Sequence, residues 1–368
     1  RAVVAKSVEN GIDVVRVFDA LNDVRNLRTS IEACHEAGGE CQCALCYTTS
    51  PVHTVPYFVG LARELAKMGA SSLCIKDMAG TLTPAAAFEL VSGIKAECDL
   101  PLEVHTHATA GIAEMTLLKA VEAGADVIDT CLSPLSGGTS QPTTESMAIA
   151  LGELGYDCGL DLDALAPAVE SLNGVRNRFR AEGKLNPKVK DTNPKALVYQ
   201  VPGGMLSNLL SQLTEQGLES RYEDVLAEVP RVRADLGYPP LVTPLSQMVG
   251  TQALMNVISG ERYQLVPTEI RDYVLGRDGA APAAIDPDVA AKVLAGAPEG
   301  AEKITCRPAD LIEPALPRLR EEISQYARSE EDVLSYALFP KQARDFLGRR
   351  EDPFYDVPVQ TVDVTISV

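Results

Sequence analysis

Two of the chain's four histidines stand as His105-Thr106-His107. On a strand, positions i and i+2 face the same side, so the pair would present two imidazoles from one strand end, a chelate for a divalent cation. The same spacing also describes two hydrogen-bonded histidines packed at a strand end. One strand earlier, Cys74-Ile75-Lys76-Asp77 ends with a lysine that shares its face with Cys74. An inward ammonium must be solvated, paired or neutralised. Lys76 could reach solvent beside Asp77; next to a metal, its neutral amine could instead combine with CO2 to give a carbamate, an anion that ligates a cation. Further on, Gly137-Gly138 precede Thr139-Ser140, and two glycines let a backbone approach a ligand closely. Thr143 or Thr144, with Glu145, reads as the cap of a following helix. No G-K-[ST] follows, so a phosphate cradle is weakly supported. Cys41-x-Cys43-x-x-Cys46, with His35 upstream, has the look of a zinc site. However, Cys41 and Cys43 share one strand face while Cys46 takes the other, and small buried side chains are the better reading. His53 reads as a helix-start residue that caps or is solvated.

The elements that must hold these groups repeat. A helix ends at a glycine and a β-branched strand follows: Gly11 precedes residues 12–18, Gly39 precedes 41–47, Gly69 precedes 71–76 and Gly124 precedes 126–132, while 102–107 enters through Leu100-Pro101. The glycines suit the left-handed position that stops a helix. Helical stretches lie between, over 55–68, after Thr83-Pro84 and over 112–122. Strand–helix alternation means parallel strands and right-handed crossovers. An open doubly wound sheet and a closed barrel both fit that alternation. No G-x-G-x-x-G follows the first strand and polar residues end every strand, so the barrel is favoured. The expected fold is an α/β TIM (β/α)8 barrel with about five units present, followed by a mostly helical domain. Three units are expected upstream of Arg1, on the order of 90 residues. The repeat stops near residue 160. Domains are expected at 1–160 (partial barrel), 161–350 (helical) and 351–368 (a tail whose last ten residues alternate like a strand).

Composition narrows the classes. With 33 Lys+Arg against 51 Asp+Glu the formal net charge is −18 over 368 residues, which argues against a nucleic-acid surface. No run of 18 apolar residues occurs, and an apolar content of 46% excludes disorder. Nine cysteines, an odd number without a framework, fit a reducing cytoplasm.

The chain also resembles a known family. Arg16-Val17-Phe18-Asp19-Ala20, Tyr47-Thr48-Thr49-Ser50-Pro51, Ile75-Lys76-Asp77-Met78-Ala79-Gly80, His105-Thr106-His107-Ala108-Thr109 and Gly138-Thr139-Ser140-Gln141-Pro142 look like the carboxyltransferase domain of biotin-dependent enzymes. These are pyruvate carboxylase, its separate B subunit, the oxaloacetate decarboxylase alpha subunit and the transcarboxylase core subunit. The segments 200–209, 239–247, 307–311 and 334–340 resemble the family's helical carboxylase domain.

The resemblance implies carboxyl transfer between carboxybiotin and pyruvate or oxaloacetate. It implies a divalent metal, zinc foremost with manganese or cobalt as other choices, held by His105, His107 and a carboxylated Lys76. The family's aspartate ligand belongs to an R-D-x-x-Q-S motif that this sequence lacks. That ligand, its companion glutamine and the pyruvate-binding arginine are expected upstream, so the chain alone is expected to be inactive. Thr139 matches the threonine that moves a proton between biotin and substrate, with Ser140 beside it on the biotin side. Asp19 and Asp77 match acidic positions near the metal. Ala108 stands where pyruvate carboxylases carry Asp, which brings the chain closer to the decarboxylase and separate-subunit branches. A biotin-attachment A-M-K-M is absent, placing biotin on a carrier domain or subunit. Implied partners are that carrier, a biotin carboxylase or membrane decarboxylase subunits, and a second copy in a homodimer. The implied setting is cytoplasmic, or peripheral to a membrane complex. The competing readings are an acyl-CoA lyase or synthase of the 3-hydroxy-3-methylglutaryl-CoA lyase type, and a catalytically silent assembly subunit.

Overall fold

The computed structural model describes residues 1–185, 191–199, 205, 209, 213–214, 217–298 and 300–351. Its first half is a five-stranded parallel sheet in consecutive order: β1 (Val14–Phe18), β2 (Glu40–Cys46), β3 (Ser72–Asp77), β4 (Leu102–Thr106) and β5 (Val127–Ile128). Parallel neighbours need crossover connections. These are the helices α2 (Val24–Ala37), α3 (Val55–Lys67), α4 (Pro84–Glu97) and α5 (Ala113–Glu122), with α1 (Ala2–Glu9) before β1 and α6 (Thr144–Glu153) after β5. Strand positions alternate strictly. Cys41, Cys43, Leu45, Leu73, Ile75, Leu102 and Val104 share one core with Ile31, Phe58, Leu65, Leu90, Ile94 and Leu117 of the helices. The intervening positions put Arg16, Gln42, Cys74, Lys76, Glu103 and His105 on the opposite face. Register places Arg16 beside Gln42, Cys74 beside Glu103 and Lys76 beside His105.

Several local expectations shift. The left-handed cap of α2 is Gly38 (φ 77°), one residue before the expected Gly39. β5 is far shorter than the 126–132 expected. It pairs only with β4, and the chain then leaves the ladder so that Cys131 bridges Thr143. Thr83 caps α4 by accepting from the Ala86 N–H. Thr143 makes no such side-chain cap on α6; its hydroxyl pairs with Ser136 Oγ at 2.7 Å, and Glu145 accepts from the Ser133 N–H.

The second half is helical: α7 (Leu162–Ala181, capped by Asp161), α8 (Lys195–Tyr199), α9 (Tyr222–Asp235), α10 (Leu245–Ser259), α11 (Thr268–Val274), α12 (Pro287–Leu294), α13 (Leu316–Glu322), α14 (Glu330–Leu338) and α15 (Pro340–Arg349). Val229, Val232, Val249, Ile270 and Val293 build a second core that also takes in Leu21 from the β1–α2 loop. Ile323, Val333, Tyr336 and Leu347 form a third, smaller one. The expected strand in 359–368 lies outside the described residues, as does most of 200–209, where Met205 and Leu209 are described and buried. Among the described residues no helix is long and apolar enough to cross a membrane.

Candidate functional site

β4 ends the inner face with His105, and the next residue on that side, His107, opens the following turn. His105 Nδ1 donates to Asp129 Oδ2 at 2.6 Å. His107 Nδ1 donates to the Thr139 carbonyl at 2.6 Å. A carbonyl can only accept, and the carboxylate is likewise an acceptor, so these partners assign the proton of each neutral ring to Nδ1. Both Nε2 lone pairs therefore point inward, and the two atoms stand 3.2 Å apart. The Gln141 amide approaches His105 Nε2 at 3.5 Å. Two facing lone pairs at that separation repel unless a positive charge lies against them, so the arrangement fits a bound cation, as it also fits a proton on one ring donated to the other. Each ring's other nitrogen is fixed as metal-binding histidines require. Burial lowers the His107 pKa, the Thr139 carbonyl opposes this, and the neighbouring His105 adds to the lowering, keeping the imidazole available as a ligand.

Lys76 stands beside His105 in the register, its Nζ 5.1 Å from the centre of the Phe18 ring. Among the described residues no group of three or more His, Cys, Asp or Glu side chains is arranged to hold a metal; Lys76 shares the inner face with the two histidines. Asp19 directly follows β1 and Asp77 ends β3. Asp19 accepts from the Leu21 and Asp23 N–H groups and from Asn26 Nδ2, all at 2.9–3.0 Å, and burial raises its pKa. Asp77 alternates to the face opposite Lys76. It is fully buried and accepts from the N–H groups of Thr81 and Leu82 and from Thr106 Oγ1. Both carboxylates hold the loops that carry the site. Thr139 reaches the site through its carbonyl, while the residue itself is exposed. The Ser140 carbonyl accepts from the Ala108 N–H at 2.8 Å, fastening this loop to the end of β4.

Cys41, Cys43 and Cys46 are all buried, with the Cys41 and Cys43 sulfurs 4.0 Å apart and the neighbouring Cys34 thiol pushed up to about 12 by burial. His35 faces the Gly69 carbonyl instead of joining them. His53 neither caps nor is solvated. Thr54 caps α3, while His53 is 7% exposed beside Ser50 Oγ, and burial pushes its pKa down to about 4, with Arg233 adding to the lowering.

Sequence reasoning missed the groups around the pair. Arg16 donates to Gln42, Glu103 and Asp129. Burial works against the charge on Asp129, yet the bonds from His105 and Arg16 hold its pKa well below the usual carboxylate range. The available signal was charge at inward strand positions: Arg16 between two valines, Glu103 between Leu102 and Val104, and Asp129 directly after Ile128.

Comparison with known proteins bears on this arrangement. Residues 12–171 match the family model described as HMGL-like, and residues 196–366 match the one described as Conserved carboxylase domain. The pyruvate carboxylase B subunit of Methanocaldococcus jannaschii is 51% identical over 346 residues, covering 94% of this chain and 60% of that protein. The methylmalonyl-CoA carboxyltransferase 5S subunit of Propionibacterium freudenreichii subsp. shermanii is 45% identical over 360 residues, covering 95% of this chain and 69% of that protein. The chain belongs to the biotin-dependent carboxyltransferase family. Its fold is also that of a family structure, the carboxyl transferase domain of Rhizobium etli pyruvate carboxylase with pyruvate and biocytin. That match has a TM-score of 0.86 at 34% identity and covers 96% of this chain and 62% of that one. The TIM-like α/β unit followed by a helical domain is thus shared with other carboxyltransferases. At 60%, the chain spans less than two thirds of the archaeal protein's length.

Proposed function

We propose that this chain carries the carboxyltransferase half-reaction between N-carboxybiotin and pyruvate, with oxaloacetate as the carboxylated partner. The observation that carries the reading is the pair of inward Nε2 atoms, 3.2 Å apart with both Nδ1 positions engaged. His105 and His107 would hold a divalent cation, zinc foremost. Bound there, it would supply Lewis acidity to the enolate oxygen of pyruvate. Lys76 would join as a carbamate: its neutral amine attacks CO2, a C–N bond forms and the amine proton leaves to solvent. That exchanges an ammonium, which repels the cation, for an anionic ligand. Asp129 and the Thr139 carbonyl orient the two rings. The Thr139 hydroxyl would carry the proton between biotin nitrogen and the substrate methyl group, with Ser140 beside it toward biotin. Asp19 and Asp77 would act by positioning the loops.

Biotin would arrive on a carrier domain or partner subunit, charged by a biotin carboxylase or discharged through a membrane decarboxylase, and the chain would work as a homodimer in the cytoplasm. Residues 1–160 would form the reacting domain and 161–350 the helical one. The experiment is metal analysis and oxaloacetate decarboxylation by the intact protein with its biotin carrier. Biotin-dependent turnover that disappears with the metal in His105→Ala and Lys76→Ala is expected. Full metal occupancy in Lys76→Ala would remove the carbamate role. The HMGL-like match over 12–171 favours a second reading, acyl-CoA lyase chemistry, but the carboxylase-domain match over 196–366 weighs against it. Cleavage of an acyl-CoA without biotin would reverse that balance.

A further inference from the structure

We propose that Arg16 is the positioning residue of the histidine pair: acting through Asp129, it holds the His105 ring with Nδ1 protonated and Nε2 turned inward. This rests on the reading of the pair as a cation site. Asp129 follows β5, which contributes only two residues to the sheet and has a single neighbour; its N–H still bonds to the Val104 carbonyl at 3.1 Å, a backbone bond that does not set the direction of its carboxylate. The group that places it comes from the far side of the sheet. Arg16, on β1 and 113 residues away in sequence, donates from Nη1 to Asp129 Oδ2 at 2.9 Å, the same oxygen that takes the His105 proton at 2.6 Å.

Arg16 is itself immobilised. Its Nε donates to Gln42 and its Nη2 to Glu103, and Gln42 Nε2 closes the set by donating to Glu103 Oε2 at 3.0 Å. One planar guanidinium thus spans the inner face from β1 to the end of β5, meeting three acceptors at once. A lysine cannot reproduce that fork, because its donors radiate from a single nitrogen. A carboxylate fixed in this way leaves the imidazole one hydrogen-bonded orientation, which sets both the tautomer and the direction of the free lone pair. A plain structural ion pair would hold β1 to β5 without governing which His105 nitrogen carries the proton.

The test uses the full chain, metal-free and labelled with nitrogen-15 in histidine, with His105→Ala assigning the signals. Wild type is expected to show the Nδ1-protonated tautomer at His105. Arg16→Met should turn it into a mixture of tautomers and weaken zinc binding, measured by chelator competition, about 10- to 100-fold. Arg16→Lys should fail to restore either. Wild-type tautomer and zinc affinity in a folded Arg16→Met protein would overturn the proposal. Should Arg16→Met not fold, Asp129→Asn decides: the same mixture and weakening support the proposal, and no change in either overturns it. A wild-type chain with the expected tautomer, but without zinc affinity, would sink the cation reading while leaving Arg16's role standing.

Discussion

His107 takes its orientation from a backbone carbonyl, and that distinguishes two roles for Thr139. Thr139→Ala retains the carbonyl, so on the proposed reading zinc binding should stay at the wild-type level; turnover then reports on the hydroxyl alone, and weakened zinc binding would show that the loop itself had moved. His53 supports a pH prediction. Its folded pKa, about 4, lies below the ordinary value of about 6.5 for a free histidine. The unfolded chain therefore binds the proton more readily, and stability present at neutral pH is lost as pH falls from about 6.5 towards 4. The contribution is on the order of 3 kcal/mol. Urea unfolding at pH 7 and pH 4.5 should show a smaller difference for His53→Gln than for wild type. The histidine pair and Lys76 were legible because residue type and period-two spacing sufficed to place them. Asp129 was not, because an inward charge marks Arg16 and Asp129 separately while their pairing joins β1 to the end of β5, 113 residues apart. His53 was misread for a related reason: a helix start is solvated unless something covers it, and here Arg233 of α9 lies over the loop.

At the level of elements, glycines whose conformation the fold requires separate from those it does not require. Gly237 ends α9 at φ 75°, and a Cβ there would stand 2.3 Å from the Ala283 carbonyl oxygen. Gly237→Ala should cost about 1–3 kcal/mol. Gly60 lies inside α3, and a Cβ added there would meet nothing within 4 Å, so Gly60→Ala should gain about 0.5–1 kcal/mol. Opposite shifts in thermal midpoint check the pair. The strand–helix order was readable from the alternation of apolar runs and helix stops. The length of β5 was not, because Cys131 and Leu132 resume the apolar pattern in sequence while the backbone turns away to meet Thr143. Caps followed the same division: Thr83 behaves as its sequence suggests, whereas Thr143 is drawn to Ser136 by tertiary contact.

Across the whole molecule, the halves meet through buried groups. Arg233 donates to the Thr49 carbonyl and to Thr48 Oγ1 at 2.7 Å, and to the Pro239 carbonyl at 3.0 Å. The Ala280 N–H donates to Asp23 Oδ2, and Arg307 Nη2 to Thr29 Oγ1. Arg233→Met should lower unfolding free energy by about 2 kcal/mol, since it strands acceptors that are cut off from water; denaturant titration measures it. Leu21, three residues past the end of β1, is 3% exposed within the helical half's core. Dividing the chain near residue 160 would therefore not yield two finished modules. One piece would be left with a bare leucine on the loop after β1 and the other with a hole where that side chain had been, so either piece made separately would need a polar replacement at position 21 or a filler for the gap.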